Sequence, residues 1–442
     1  MSTDRLADQA SRDLAAARLD HGLVMSAGAG AGKTHTLIER LAAVIERGLD
    51  DRRIVAITFT ERAARDLTQK MRQRIPSLAD AGDAVFVGTI HSFCLGLLRR
   101  FPLEAGLPPI FAAQGELMNG ADAAERIRRI SWRFFQMVAD RDDVELRDAL
   151  DVVYAVGGEF HLDALIALID REWDRFRAST LPAYPDWRRA VRQLDQIIDI
   201  ASSPSTSQAL RAKLGQYLPD IQASRAATSM LEAVRCPELK LGNCGDKETR
   251  EFCRTVATEA RAAVLNAAFG RVLETIVPVV IDEAQRRCTA GLISFDDILV
   301  LTRELLTTHA DITALLRGEI GHLCVDEFQD TDPVQYDIVQ LLTQPTPGEA
   351  QPVLFAVGDP KQSIYGFRRA DVELFEELAA RADLDQGLLS VNFRSRPRLL
   401  HWINETFAGW FHTPGQVPFA ELVAHVPPGD STVTMVAQQA AP

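Results

Sequence analysis

The chain has 442 residues, enough for about three domains at roughly 150 residues each, and is 47% hydrophobic and 25% charged. That composition suits a globular chain with sizeable cores. It excludes a wholly disordered protein, collagen-like repeats and a small disulfide scaffold. The net charge of −13 excludes a uniformly basic nucleic-acid binder but not a local basic groove, because net charge does not set the sign of each cleft.

The opening segment, MSTDRLADQASRDLAAARLD, is too polar and acidic for a signal peptide. Leu23-Val24-Met25 predicts a short strand before a glycine-rich turn. Thr34 to Ile45 has helical periodicity, with Leu37, Ile38, Leu41 and Ile45 on one face. Ile54 to Ile57 predicts a second strand, Glu61 to Ile75 a helix, and Ala84 to Val87 a third strand. This is the pattern of an α/β domain with a buried parallel sheet. From about Pro102 to Ala290 the texture changes to Ala, Leu, Arg and Asp. Helical spacing holds over Ala121–Ala139, Leu162–Phe176 and Thr249–Cys288, with loops at Ser202–Ser205 and Cys236–Asp246. That predicts an all-helical insertion. Strands return at His322–Val325 and Pro352–Val357, where the α/β domain resumes, and Leu388–Val391 with its following helix begins something new.

The six cysteines, Cys94, Cys236, Cys244, Cys253, Cys288 and Cys324, form no C-x-x-C pair. They read as free thiols in a reducing compartment, and the 236/244/253 grouping lacks metal-ligand spacing. No uninterrupted apolar stretch is long enough to span a bilayer. The expectation is a soluble cytoplasmic protein with no membrane partner.

Two stretches carry chemistry by residue type and placement. Ser26-Ala27-Gly28-Ala29-Gly30-Ala31-Gly32-Lys33-Thr34 follows the first strand and opens a helix. Small residues from Ala27 to Gly32 let backbone N–H groups approach a triphosphate, whose charge the helix N-terminus favours. The strict phosphate-loop pattern wants Gly where this chain has Ala27. Lys33 would reach the β and γ phosphates of ATP, and Thr34 would ligate Mg²⁺. Val325-Asp326-Glu327-Phe328-Gln329-Asp330 puts two carboxylates at the carboxyl end of a strand, where ligands of open α/β sheets bind. Asp326 would hold Mg²⁺, and Glu327 would orient the attacking water or accept its proton.

With these two stretches in place, the chain resembles the UvrD/RecB family of superfamily 1 DNA helicases. It looks closest to the RecB/AddA branch, which includes exodeoxyribonuclease V beta subunits. The matching blocks run in family order: SAGAGAGKT (26–34), ITFTERAARDL (57–67), GTIHSFC (88–94), SFDDIL (294–299), VDEFQDTDPVQ (325–335), VGDPKQSIYGFRRAD (357–371) and LSVNFRS (389–395). The resemblance implies a P-loop NTPase (RecA-like) fold with a large all-helical insertion and the start of a second RecA-like domain. In that division, 1–101 and 291–380 form the first motor domain, 102–290 is the insertion, and 381–442 begins the second motor domain.

By the same resemblance, Gln362 senses the γ-phosphate, and Arg394 approaches it as a cation that stabilises the transition state. Gln9 is either the adenine-reading glutamine or a plain surface residue. Thr58, Phe59 and Thr60 match a block that grips single-stranded DNA, and His91 and Ser92 match a second. Tyr365, Phe367 and Arg368 match a stretch that meets successive bases. Stacking tolerates any base, which suits a translocating motor. Without the resemblance, Phe59 and Phe367 read as core packing. Phe93 and Phe328 read as core, and Arg62 and Arg65 as solvated charges. Arg126, Arg128, Arg129 and Arg133 either touch incoming duplex or form a solvated face.

The implied activity is an ATP- and Mg²⁺-dependent helicase moving 3′ to 5′ on single-stranded DNA in double-strand-break repair. The implied partners are duplex/single-strand junctions and a helicase–nuclease partner subunit. Asp66-Leu67 stands where the family has Glu-Met. The K-G-L-E-F-like and T-R-A-like blocks with the second arginine are not visible before Pro442. The other reading is therefore a truncated or split helicase that binds ATP and DNA without self-sufficient hydrolysis. A kinase built on the same loop explains none of the five blocks after Thr60.

Overall fold

Short runs of aliphatic residues make the strands of this chain, and their burial on both faces explains the absence of a polar alternation. The computed structural model describes residues 5–48, 50–75, 85–113, 120–157, 159–409 and 419–426. Leu23-Val24-Met25 lies inside β1 (Gly22–Ala27), and β2 (Ile54–Thr58) is buried throughout. β3 is Phe86–Thr89, two residues later than expected, and Ala84 lies outside the described residues. β4 (His322–Asp326), β5 (Val353–Gly358) and β6 (Leu384–Leu389) complete a sheet of order β3-β2-β4-β5-β1-β6, in which every neighbouring pair is parallel.

The chain forms two compact units, Met1–Ala113 with Phe295–Pro442, and Gln114–Ser294. In the first, β4 pairs with both β2 and β5, so the sheet closes only when segments from both ends of the chain are in place. The expected boundary at 381 is not where the chain leaves the sheet, because β6 pairs with β1 from Gly22 to Ala27. β6 is an edge strand buried fully only at Leu389, and its sequence LDQGLL therefore hides the strand from an apolar-run reading. Likewise, 102–113, expected in the insertion, belongs to the α/β unit.

Helix α1 (Gln9–Ala17) precedes β1, α2 (Lys33–Glu46) and α3 (Glu61–Arg74) link β1 to β2 and β2 to β3, and α4 (Ile90–Arg100) follows β3. Leu37, Ile38 and Leu41 of α2 join Leu67 and Met71 of α3 and Met25, Phe355 and Val357 of the sheet in one core. Thr60 and Thr89 cap α3 and α4, accepting from the amides of Ala63 and Ser92. Arg40 of α2 is also fully buried and donates to the carbonyls of Ala15, Arg18 and His21 at 3.0, 3.2 and 2.8 Å.

His322, at the start of β4, is 7% exposed, and burial lowers its pKa from 6.5 to about 4. Between those values the unfolded chain binds a proton that the folded chain refuses, so its contribution to stability is complete above pH 6.5 and falls as pH falls. His322→Leu removes this loss. From pH 7 to pH 5 the variant should gain up to about 2 kcal/mol relative to the unaltered chain. Urea unfolding at the two pH values checks the difference, and an unchanged difference rejects it.

The second unit is helical, as its composition predicts. α5 (Gly120–Asp140), α6 (Val144–Gly157) and α7 (Glu159–Arg171) precede shorter helices and the 43-residue α8 (Lys247–Thr289). The helix expected over 162–176 breaks at Glu172, where the chain turns and buries Trp173. Val264, Ala268, Val272, Ile276 and Val280 recur every fourth residue along α8, and each is fully buried in the unit's core. α8 is long and apolar enough to cross a membrane by length and composition, although charged residues such as Arg271 and Glu274 interrupt it, and 56% of its apolar window is buried within the protein. The arginines of α5 face carboxylates: Arg126 pairs with Asp170 at 2.7 Å, Arg128 with Glu125, Arg129 with Glu283 at 3.2 Å, and Arg133 with Asp282 at 2.8 Å and Glu283 at 2.6 Å.

Candidate nucleotide and nucleic-acid site

The strand ends of the sheet put the chemically marked residues on one edge. Ala27 closes β1, and Gly28, Ala29, Gly30 and Ala31 turn the chain into α2. Gly30 and Gly32 have φ of 70° and 87°, the left-handed region that L side chains avoid. A Cβ on Gly30 would stand 2.9 Å from both Arg394 Cβ and Asn392 Nδ2, so glycine is also what lets 392–394 seat on the loop. Lys33 is the first residue of α2, where unpaired helix amides favour an anion.

Lys33 Nζ lies 2.6 Å from Glu327 Oε2, and Thr34 Oγ1 is 3.5 Å from Asp326 Oδ2. Glu327 takes a left-handed φ of 56°, which turns the chain sharply at the end of β4. Burial, and then the charge of Glu327, raises the Asp326 carboxyl to about 6, and the same causes raise Asp330 to about 6. Hydroxyl and carboxylate oxygens, one of them a buried charge short of compensation, form a donor set that fits Mg²⁺. Among the described residues no group of three or more His, Cys, Asp or Glu could hold a metal, and the cysteines are free thiols. Mg²⁺ needs only one or two protein carboxylates beside phosphate oxygens.

Arg394 is held at the loop through its neighbours. Asn392 Nδ2 donates to Ala29 O, Phe393 N donates to Gly30 O at 2.9 Å, and Asn392 Oδ1 accepts from Arg394 N and Ser395 N at 2.8 and 2.7 Å. Gln9 is half-buried, donates to Asp13 Oδ1 at 2.8 Å, and lines a cleft of about 790 Å³ with Leu6, Arg12, His35 and Phe393. Arg12 is the residue that sequence reading missed here. It binds Asp8 through two 2.8 Å bonds, donates to Ala31 O at 2.9 Å and stands 5.1 Å from the Phe393 ring centroid. Asp8 also accepts from the amides of Ser390 and Val391 at 3.0 and 2.9 Å. Burial opposes its charge, yet the bonds from Arg12 and those amides hold its carboxyl below the usual range. Only the i,i+4 spacing of Asp8 and Arg12 hinted at this pair.

Gln362 donates to Asp359 Oδ2 at 2.6 Å. Phe59 and Tyr365 have ring centroids 4.8 Å apart, and Tyr365 and Phe367 5.8 Å, with Phe367 76% exposed. The core alternative for Phe367 is thereby excluded, whereas Phe93 and Phe328 are buried as expected. Arg368's side chain lies outside the described residues. Thr58 is buried and donates to Thr60 O at 3.2 Å, while Ser92 donates to Thr89 O at 2.8 Å. His91 stacks on Phe295 with centroids 3.5 Å apart, and burial lowers its pKa to about 3, so the ring is neutral and one face is covered. Arg62 and Arg65 are exposed.

A family described as the UvrD/REP helicase N-terminal domain matches residues 8–383. Among curated proteins the chain is similar to an ATP-dependent helicase/nuclease subunit of Staphylococcus aureus (strain MRSA252), 26% identical over 87% of this chain and 38% of that protein. It is also similar to the protein of the same name from Enterococcus faecalis (strain ATCC 700802 / V583), 23% identical over 92% of this chain and 39% of that protein. The chain thus spans about two-fifths of the length of these relatives.

Proposed function

The chain belongs to the UvrD/REP helicase N-terminal domain family, and on that premise we propose that it binds and hydrolyses ATP to move along single-stranded DNA. What supports this reading is one juxtaposition: Lys33 and Thr34 meet Glu327 and Asp326 across 294 and 292 residues, at the edge that also presents an aromatic run. Lys33 and the loop amides bind the β and γ phosphates. Thr34 and Asp326 hold Mg²⁺, which when bound neutralises phosphate charge. Glu327 orients the attacking water. Arg394, seated on the loop, stabilises the charge that develops on the γ-phosphate, and Gln362 reports on it. Gln9, Arg12 and Phe393 line the cleft for the base.

Phe59, Tyr365 and Phe367 stack on successive bases, aided by Arg368, while Thr58, Thr60, His91 and Ser92 border the strand. Movement runs 3′ to 5′, and the setting is break repair in the cytoplasm, at duplex/single-strand junctions. The relatives are named as one subunit of a helicase/nuclease, which supports assembly with a partner chain. The second reading is a motor part that binds ATP and DNA but needs further residues for hydrolysis, and the two-fifths coverage of the relatives supports it.

Turnover of ATP by the purified chain across a titration of oligo(dT) decides between them. Stimulated turnover establishes the motor. A folded chain that binds ATP yet hydrolyses none at any DNA concentration establishes the second reading. Phe367→Ala should weaken oligo(dT) binding about 5- to 100-fold, the scale of one lost base stack, and leave nucleotide affinity unchanged. Fluorescence anisotropy checks it, and equal DNA affinity rejects the stacking role.

A further inference from the structure

We propose that Gln329 is a positioning residue that couples nucleotide occupancy to the aromatic DNA track. The proposal rests on the functional reading above and adds a residue and a path to it. Gln329 is 2% exposed and lies between the two sites. Its Nε2 donates to Glu327 Oε2 at 2.9 Å and to Asp330 Oδ2 at 3.4 Å, and its Oε1 accepts from the backbone N of Asp359 at 2.8 Å. Asp359 is itself buried, and its carboxylate accepts from Lys361 N at 3.2 Å and from Gln362 Nε2 at 2.6 Å. Asp359 is the cap of the turn Pro360–Gln362, and the chain that leaves this turn carries Tyr365 and Phe367. A continuous path of hydrogen bonds therefore runs from Lys33 through Glu327, Gln329 and Asp359 to the base of the aromatic run.

The chemistry of the path suits the amide at 329. Glu327 only accepts and the Asp359 N–H only donates, so the linking side chain must donate at one end and accept at the other. Glu327 Oε2 has two donors, Lys33 at 2.6 Å and Gln329 at 2.9 Å. A triphosphate competes for Lys33. Once Lys33 turns to phosphate, Gln329 is the remaining donor to Glu327, and any reorientation of that carboxylate pulls on an amide whose other end holds Asp359. Packing leaves the amide little slack. A Cβ on Gly358 would stand 2.6 Å from Gln329 Oε1, 3.2 Å from Gln329 N and 2.9 Å from Phe375 Cε2.

The test measures oligo(dT) affinity of the 442-residue chain with and without a non-hydrolysable ATP analogue and Mg²⁺. The unaltered chain should show a change of about 5-fold or more, the usual scale of coupling between sites. In Gln329→Met, which keeps the length and loses both bonds, the ratio should fall to within about 2-fold, with nucleotide affinity and nucleotide-free DNA affinity both retained. A merely structural role would instead lower both affinities together and leave their ratio intact, and that result overturns the proposal. Gly358→Ala, which displaces the amide without removing it, carries the same expectation where Gln329→Met does not fold. Independently of any variant, hydrogen exchange over 359–367 in the unaltered chain should change when the analogue binds without DNA, and unchanged exchange overturns the proposal. An unaltered chain that binds both ligands with no linkage also overturns it. A chain that binds no nucleotide overturns the functional reading instead.

Discussion

Replacing Lys33 with alanine should lower ATP turnover at least about a hundred-fold, the scale of losing one preorganised donor to developing charge, while the fold survives. The two halves of that expectation come from one geometry. Lys33 opens α2 and places its ammonium 2.6 Å from Glu327, at the mouth of the phosphate loop. In the resting chain the ion pair holds both groups in place of substrate. The Glu327 side chain is 37% exposed and keeps a bond from Gln329, but Lys33 also offsets the buried carboxyls of Asp326 and Asp330, which its loss pushes further towards the protonated form. Because Lys33 is only 11% exposed, the stability loss should be about 1–3 kcal/mol, the scale of one hydrogen bond to a charged group. Phosphate release at saturating oligo(dT) and Mg²⁺, with a thermal melt of the same preparation, checks both halves. Turnover within ten-fold of the unaltered chain would remove Lys33 from the catalytic machinery. Where the chain only binds ATP, the same variant should lose affinity for the triphosphate, and retained affinity rejects the assignment equally.

Arg40→Met should destabilise the α/β unit by about 2–4 kcal/mol and leave nucleotide chemistry untouched until the fold fails. Arg40 is fully buried and ties together Ala15 O, Arg18 O and His21 O. Its guanidinium carbon lies 5.1 Å from the Phe355 ring centroid. Burial lowers its pKa, yet a guanidinium stays charged. Methionine fills much of the same volume but leaves carbonyls at the end of α1 without donors, each costing about 1–3 kcal/mol, offset in part because no cation is buried any longer. Arg40→Lys should fall between, since one ammonium cannot span three carbonyls in a fork geometry. Urea unfolding followed by circular dichroism reads the change. A loss under about 1 kcal/mol would show that α1 is fastened by other contacts.

Much of this molecule was legible from residue order, because the legible parts are local. A phosphate loop is a turn of small residues between a strand and a helix, and its meaning lies in nine consecutive positions. The buried strands announced themselves as apolar runs, and α8 as a period of four. The edge strand β6 did not, since half of it faces solvent and its run is broken by Asp385, Gln386 and Gly387. The role of Arg40 was not legible, because no helical pattern distinguishes an exposed arginine from one that meets three carbonyls. His91 matched a DNA-contacting block, yet its ring rests on Phe295, 204 positions further along.

The amino-acid order by itself determined the family, the alternation of strand and helix around a helical segment, and the kind of chemistry each loop end carries. Those properties depend on backbone preferences and residue types within a few positions. Only the tertiary structure decided that β4 closes the sheet between β2 and β5, and that Asp8 and Arg12 join α1 to the segment bearing Phe393 and Arg394. It also decided that Gln329 stands between Glu327 and Asp359. Each of these is a contact between groups brought together by the parallel sheet, whose crossover connections set neighbours in space without regard to their distance along the chain.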